Sequence, residues 1–121
     1  MKVGWDRSPL KRSVRHLSLR PGLKANAILP LVDCEWDEAK AAGNLEKHGV
    51  SFEEAATVFA DPLYIDFYDP DHSANEHRYL IIGTSASDRL LIVSYTERVD
   101  VVRLISAREV TSAERKAYEE G

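Results

Sequence analysis

The sequence predicts an α+β fold in which two N-terminal helices and one C-terminal helix pack with a small antiparallel sheet of four to five strands. Two short segments between residues 37 and 62, and a third at the C-terminus, begin with residues that cap helices. Between them, segments rich in aromatic and β-branched residues follow one another across short links, which is typical of an antiparallel meander. The predicted order is β-α-α-β-β-β-β-α, and this separation of helices from consecutive strands defines the α+β class.

The two N-terminal helices have clear boundaries in the sequence. Asp37 can accept hydrogen bonds from the free amides of a first turn, so it is predicted as the N-cap of the first helix. Gly49 can adopt the positive φ that follows a helix end. Ser51 and Glu54 have the spacing of a capping box, which opens the second helix, and Pro62 prevents that helix from continuing.

Five strands are predicted around these helices. They span residues 28–36, 63–68, 77–84, 89–97 and 101–107. Pro30 lacks an amide proton, so the beginning of the first strand is expected at a sheet edge or outside the ladder. Thr111 and Glu114 form another capping box, which opens a final helix that reaches Tyr118.

Length and composition indicate one small domain. The chain has 121 residues, and no apolar run approaches the roughly 20 residues that span a bilayer. Its single cysteine, Cys34, excludes an intramolecular disulfide and is predicted to be a small buried side chain. We therefore expect a reducing, cytoplasmic location without membrane association.

Charge is distributed unevenly along the chain. Residues 1–30 carry seven basic residues and one acidic residue, whereas the other 91 carry nine basic and 19 acidic residues, a net charge of −10. Residues 1–27 also lack a persistent helical or alternating pattern, so we predict a basic, loosely ordered extension before a domain spanning residues 28–121. Three interpretations of this extension remain open. It is a transit peptide, a segment included because the start codon was assigned too far upstream, or a basic arm that binds RNA or a partner. The acidic domain needs a local arginine cluster if it binds nucleic acid.

Short motifs follow one another in order between residues 32 and 118. They include Glu35-Trp36-Asp37, Lys47-His48-Gly49-Val50-Ser51-Phe52-Glu53-Glu54-Ala55, Leu90-Leu91-Ile92-Val93, Tyr95-Thr96-Glu97-Arg98 and Ile105-Ser106-Ala107-Arg108. Together they closely resemble BrnT-type toxins, the toxin components of bacterial type II toxin–antitoxin pairs. The resemblance implies a RelE-like fold and a metal-independent endoribonuclease, without a cofactor, that inhibits translation by cutting RNA.

The same resemblance implies a protein partner. A cognate BrnA-like antitoxin would hold the toxin inactive and would carry a ribbon-helix-helix part that binds DNA. Operator DNA is then expected to reach the toxin only through the antitoxin, whereas RNA is the substrate. A strongly acidic toxin surface would complement a basic partner.

Arginines are the most informative candidates for such a site, because metal-independent RNA cleavage needs a base, an acid and cations for the charge on phosphorus. Arg78 starts the third predicted strand and Arg98 ends the fourth, and these positions are neighbours in consecutive antiparallel strands. We predict that they form a phosphate clamp on one rim of the sheet. The alternative is that they form solvated ion pairs with Glu76, Glu97 or Asp100.

Two further arginines are candidates. Strict alternation places Arg103 on one strand face with Val101 and Ile105. It therefore either faces solvent at an edge or points into a groove toward a carboxylate or a phosphate, and we predict that it binds RNA. Arg108 is predicted to be catalytic, in the manner of RelE-like toxins, with the alternative that it fixes the last helix to the sheet.

His48 is the predicted general acid or base, because histidine titrates near neutral pH. The alternative is that it caps the end of the first helix. Lys47 beside it is predicted to bind RNA phosphate, with a solvated helix end as the alternative. Tyr95 is predicted either to stack on an RNA base or to lie in the core.

A polar loop holds His72 and His77 near Asp69 and Asp71. Their spacing matches no diagnostic ligand pattern, so no metal is predicted. His77 replaces the acidic or basic residue that the resemblance leads us to expect beside Arg78. This difference and the acidic domain motivate an alternative function, an inactive antitoxin-binding module. Convergence of the arginines on one cleft would favour the ribonuclease, and their separate pairing with carboxylates would favour the binding module.

Overall fold

The computed structural model describes residues 14–19, 32–74 and 76–121, and it confirms the predicted α+β class. The elements in chain order are β1 (Val14–Leu19), β2 (Val32–Asp37), α1 (Glu38–His48), α2 (Phe52–Thr57), β3 (Ile65–Tyr68), β4 (Tyr79–Thr84), β5 (Leu90–Arg98), β6 (Val101–Glu109) and α3 (Ser112–Glu120). Short 3₁₀ turns follow α2 at Val58–Ala60 and β3 at Pro70–His72. No helix in the described ranges is long and apolar enough to cross a membrane.

The described strands form one sheet in the order β1-β2-β6-β5-β4-β3. Strands β3 to β6 are consecutive antiparallel neighbours, as the meander prediction requires. Two features were not predicted. β2 pairs with β6 in parallel, because the chain crosses the sheet through α1 and α2 before it returns. β1 lies within residues 1–27, where no strand was predicted, and its partner is β2.

The division into an extension of residues 1–27 and a domain of residues 28–121 stays a prediction. Apart from β1, residues 1–31 lie outside the described part of the chain, and so does the predicted start of the first strand at Pro30. The described portion of that strand begins at Val32 and continues to Asp37.

The predicted helix boundaries are confirmed. The Asp37 carboxylate accepts a hydrogen bond from the Ala39 amide at 2.8 Å, and Gly49 ends α1 with a φ of 71°. The Ser51 hydroxyl accepts from the Glu54 amide at 3.0 Å and begins α2. A complete capping box at Thr111 begins α3. These local sequence signals therefore set where each helix begins.

The sheet has two differently covered faces. The core face carries Ile81, Val93 and Ala107, and α1 and α2 pack against it to form the main apolar cluster. The α3 face is the opposite one. It carries Ile82 and Ile92, which form a smaller cluster with Leu90, and α3 contributes Tyr118 to it. Because α3 covers only part of this face, the remainder is open for a site.

A β-bulge in β6 changes which side chains share the α3 face. Ser94 pairs with Ser106 but Tyr95 pairs with Leu104, so Ile105 is the extra residue. Arg103 and Arg108 are an odd number of residues apart, and regular alternation would place them on opposite faces. The bulge brings both to the α3 face. Ile105 also lines the open part of the α3 face, so the predicted grouping of Arg103 with Ile105 agrees with the structure.

A buried asparagine fastens the first helix to the sheet. The Asn44 side-chain amide donates to the carbonyl oxygens of Val50 at 3.0 Å and Ala107 at 2.8 Å, and its oxygen accepts from the Ala107 amide at 3.1 Å. Asn44 is only 7% exposed. These three hydrogen bonds satisfy backbone groups of Val50 and Ala107 that would otherwise be buried without partners.

A second anchor joins α2 to the β4–β5 turn. The guanidinium of Arg89 donates to both carboxylate oxygens of Glu54, to the Glu109 carboxylate and to the Gly49 carbonyl. The Ser85 hydroxyl also donates to Glu54, at 2.6 Å. The Glu54 carboxylate was predicted to complete a capping box by accepting from the backbone at the start of α2. It instead accepts hydrogen bonds from Arg89 and Ser85.

We expect Asn44→Leu to lower the free energy of unfolding by about 2–4 kcal/mol, because it leaves buried backbone groups at Val50 and Ala107 without partners. The matched control is Glu46→Leu, an exposed change in the same helix, which should alter it by no more than about 0.5 kcal/mol. Urea denaturation followed by circular dichroism measures both. Equal effects of the two changes would show that the Asn44 bonds contribute nothing specific.

Candidate functional site

The open part of the α3 face contains a cleft of about 290 Å³. Asp69, His72 and Arg78 line one side of it, and Arg108 and Glu114 line the other. Its floor includes Ile92, Ser94 and Ser106 from the two central strands. The cleft therefore combines a histidine, two arginines and two carboxylates over a partly apolar floor.

A histidine–aspartate pair stands at one side of the cleft. His72 Nδ1 lies 2.9 Å from Asp69 Oδ2, within the short 3₁₀ turn that follows β3. The Asp69 side chain is 12% exposed and the His72 side chain is 66% exposed. An ionised carboxylate only accepts hydrogen bonds, so it favours the tautomer with the proton on Nδ1. Nε2 is then the basic nitrogen of a ring whose orientation is fixed.

The backbone around this pair is fixed to the start of β4. The Asp69 amide donates to the Arg78 carbonyl at 2.9 Å, which extends the β3–β4 ladder by one pair. The Ser73 hydroxyl donates to the Asp69 carbonyl at 2.6 Å and accepts from the Arg78 amide at 3.0 Å. These bonds hold the histidine turn against the arginine and place both side chains at the cleft.

Arg78 has a buried group that is not satisfied within the described chain. Its Nη2 lies 3.3 Å from Glu76 Oε2, whereas its Nε is buried and has no hydrogen-bond partner among the described residues. A buried donor on a cation is unfavourable unless an acceptor reaches it. This arrangement suits an anionic ligand in the cleft, such as a phosphate.

The guanidinium of Arg108 has more hydrogen-bond partners than the guanidinium of Arg78. Its two terminal nitrogens each lie 2.9 Å from one oxygen of Glu114, and Nη1 also donates to the Glu109 carbonyl at 3.1 Å. The hydrogen bonds from Arg108 lower the pKa of Glu114 below its usual range. Because Glu114 is also part of the α3 capping box, this pair fixes α3 to the sheet, as the alternative role for Arg108 required.

Arg98 and Arg103 lie on the α3 face but do not line the cleft. Arg98 Nη1 is 3.8 Å, and Arg103 Nη1 is 3.6 Å, from the same oxygen of Glu35 in β2. Arg103 is 7% exposed, so it meets a carboxylate in a buried environment. The predicted rim clamp of Arg78 with Arg98 stays a prediction. Arg108, and not Arg98, lines the cleft together with Arg78.

His48 and Lys47 are exposed in the last turn of α1, which packs against the core face. They lie on the other side of the sheet from the cleft, and the structure does not bring them together with Arg78 or Arg108. Their predicted roles in acid–base chemistry and RNA binding stay predictions.

Tyr95 belongs to the core. It is 2% exposed, its ring contacts Phe59 and Tyr79 at centroid distances of 5.1 and 5.6 Å, and its hydroxyl donates to Asp66 at 3.2 Å. Desolvation by burial raises its pKa. An RNA base cannot reach this ring, so the predicted stacking role does not fit the structure. Cys34 is also buried, and burial raises the pKa of its thiol to about 12, which keeps it protonated and unreactive.

His72 and Asp69 were considered from the sequence only as metal ligands. No group of three or more potential metal-ligating side chains occurs in the described ranges. The signal that was missed is their spacing of three residues across Pro70. Side chains at positions i and i+3 of a 3₁₀ turn lie above one another, which brings the carboxylate to the imidazole.

Comparison with known proteins assigns the chain to a family. Residues 36–114 match the family model described as "Ribonuclease toxin, BrnT, of type II toxin-antitoxin system". The chain belongs to the BrnT family. The match covers more than half of the chain and confirms the resemblance found in its motifs. As a type II toxin–antitoxin family, BrnT implies an antitoxin partner.

Among solved structures, the chain is similar to the Brucella abortus ribonuclease toxin BrnT. The two are 22% identical, the similarity covers 64% of this chain and 94% of that chain, and the TM-score is 0.47. No curated protein sequence matches the chain.

We expect this BrnT-family chain to lose stability in acid. Hydrogen bonds from Arg108 lower the pKa of Glu114, and hydrogen bonds from Arg89 lower that of Glu54. A depressed carboxylate pKa stabilises the folded state at neutral pH, and this stabilisation is lost as pH falls below the ordinary value of about 4.3 and then through the folded-state pKa.

Thermal denaturation between pH 7 and pH 3 measures the effect. The parent melting temperature should fall steeply below about pH 4, and Glu54→Gln combined with Glu114→Gln should flatten the profile. Glu46→Gln, an exposed change, should leave the profile unchanged. A double variant with the parent's pH dependence would contradict this account.

Proposed function

We propose that this chain is an endoribonuclease whose active site is the cleft on the α3 face. The observation that carries the proposal is that the His72–Asp69 pair shares a cleft with Arg78, whose Nε is buried without a hydrogen-bond partner among the described residues. This combination offers a proton acceptor and a phosphate-binding cation at one place. Membership of a ribonuclease toxin family supports the choice of RNA as the substrate.

His72 would act as the general base. Its Nε2 accepts the proton of a ribose 2′-hydroxyl while Asp69 holds the Nδ1 proton and stabilises the imidazolium that forms. The 2′-oxygen forms a bond to phosphorus and the bond from phosphorus to the 5′-oxygen breaks. The leaving oxygen takes a proton from solvent at the open mouth of the cleft. The products are a 2′,3′-cyclic phosphate and a 5′-hydroxyl.

Arg78 would stabilise the charge that develops on the phosphate oxygens. Its buried Nε gains an acceptor when a phosphate enters, and Nη2 can exchange its 3.3 Å contact with Glu76 for a second phosphate bond. Arg108 adds positive charge at the opposite wall while Glu114 fixes its position. The negative charge of the domain as a whole is then compatible with RNA binding, because the cations are local.

The proposed reaction needs no metal and no cofactor, since the base and the stabilising cations are side chains. Cleavage should therefore persist in EDTA. We further propose that a BrnA-like antitoxin with a DNA-binding part neutralises the toxin in the cytoplasm. The acidic domain favours a basic partner and disfavours direct contact with operator DNA, which the antitoxin would bind instead.

One observation favours the second candidate, an inactive antitoxin-binding module. Each cleft arginine contacts a carboxylate, Arg78 with Glu76 and Arg108 with Glu114. Paired arginines are the arrangement expected of a module that retained the fold alone. The two arginines nevertheless converge on one cleft, and the unsatisfied Nε of Arg78 distinguishes its pair from a completed structural ion pair.

We expect His72→Asn to lower the rate of RNA cleavage by about 10²–10⁴-fold, through loss of the general base. Arg78→Ala should lower it by about 10²–10³-fold, through loss of charge stabilisation. The assay uses the purified chain with bacterial RNA in EDTA, and circular dichroism checks that each variant is folded.

Variants of the other histidines test on which side of the sheet the general base lies. His77→Ala changes an exposed histidine outside the cleft lining and should retain parent activity. If His48→Ala abolishes cleavage while His72→Asn does not, the base predicted from the sequence is right and the cleft is wrong. A folded parent that cuts no RNA would instead support the binding module.

A further inference from the structure

An aromatic side chain on the edge strand remains exposed beside the cleft. Phe67 lies in β3, at the outer edge of the described sheet, and is 44% exposed. Its neighbours on the same sheet face, Ile65 and Leu80, pack against the apolar cluster under α3, whereas Phe67 is not part of that cluster. A single exposed aromatic ring is ordinary on a protein surface, so the position of the ring relative to the cleft decides whether it can serve a ligand.

The strand register places Phe67 in line with the cleft floor. Phe67 pairs with Leu80, Leu80 with Ser94, and Ser94 with Ser106. The last three residues line the cleft, so one row of side chains runs from the exposed ring into it. Neighbouring strands are about 4.8 Å apart, which puts Phe67 about 10 Å from Ser94 across the sheet.

Side chains on the opposite side of β3 contact other residues of the protein, although Tyr68 is itself 45% exposed. The Tyr68 ring contacts His77 and Tyr79, and Asp66 accepts the hydroxyl of Tyr95. Phe67 makes no ring contact with the other described aromatic residues. The face that carries Phe67 is also the one that carries the proposed catalytic groups. This placement favours a nucleotide as its ligand.

We infer that Phe67 is a base-stacking subsite for the nucleotide next to the phosphate held in the cleft. Every base presents a π-face, so an aromatic platform of this kind positions single-stranded RNA without reading a specific sequence. Arg78 binds the phosphate, and the Phe67 ring stacks on the adjacent base. The inference rests on the proposed ribonuclease function and assigns a positioning residue to that site.

A substitution series separates stacking from simple apolar contact. Phe67→Ala and Phe67→Leu should each weaken RNA binding by about 5- to 150-fold, since leucine keeps apolar bulk but has no π-face. Phe67→Trp should bind as well as the parent. Leu63→Ala is the matched control, because Leu63 is 71% exposed just before the same strand, and it should change nothing.

Binding is measured by fluorescence anisotropy of a labelled single-stranded RNA pentamer, with every variant made in the His72→Asn background so that the RNA stays intact. Cleavage by the same Phe67 variants with His72 present should show a raised KM and a nearly unchanged kcat. Circular dichroism confirms the fold of each variant.

Four results would overturn the subsite. Parent-like binding by Phe67→Ala would show that the ring contributes nothing, and parent-like binding by Phe67→Leu would show that stacking is not involved. Phe67 changes that leave RNA binding intact but weaken antitoxin inhibition would assign the ring to a protein partner at the β3 edge. Failure of the parent to cleave RNA, by contrast, removes the proposed function and the subsite with it.

Discussion

The alternation of side chains across the central strands, interrupted by one bulge, is the constraint on which the rest of this molecule depends. Strands β4, β5 and β6 direct one set of residues into the core beneath α1 and α2 and the other set onto the α3 face. The bulge at Ile105 shifts the phase of β6, so Arg103 and Arg108 occupy the same face. Without it, one of these arginines would point into the main apolar cluster, where an unpaired charge is strongly unfavourable.

Polar contacts connect the three helices to the two faces of the sheet. Asn44 fastens α1 to the backbone of β6, and Arg89 fastens α2 to the β4–β5 turn through Glu54. On the other side, Arg108 fastens α3 through Glu114. Arg108 also forms a wall of the cleft, so the residue that fixes α3 lies in the proposed site as well. Arg78 differs because its Nε has no hydrogen-bond partner in the described part of the chain, and for this reason we propose it as the phosphate-binding cation.

Local sequence signals predicted the elements that depend on local chemistry. The caps at Asp37, Ser51 and Thr111 and the glycine at the end of α1 are where the sequence places them, because capping is decided within one turn of helix. The four strands of the meander were also predicted, since each combines β-forming residues with a turn. The family was recognisable because its motifs are short, ordered and spread over most of the domain.

The features that sequence reasoning missed are set by tertiary structure. The parallel pairing of β2 with β6 depends on how the chain crosses the sheet, and in the described part of the chain β1 pairs with β2 alone. The bulge depends on which residues oppose one another across two strands, so the faces of Arg103 and Arg108 could not be read from β6 alone. The contact of Arg98 with Glu35 was also missed, because it depends on β2 lying beside β6. His72 was overlooked because its partner, Asp69, was considered only as a metal ligand.

The proposal that RNA binds the α3 face is tested most directly by one measurement. Amide spectra of the ¹⁵N-labelled chain are recorded during titration with a short 2′-deoxy oligonucleotide, which lacks the attacking hydroxyl and cannot be cut. We expect shifts that are concentrated at Phe67, His72, Arg78, Ser94 and Ser106. Shifts concentrated instead at Lys47, His48 and Gly49, on the other side of the sheet, would contradict it.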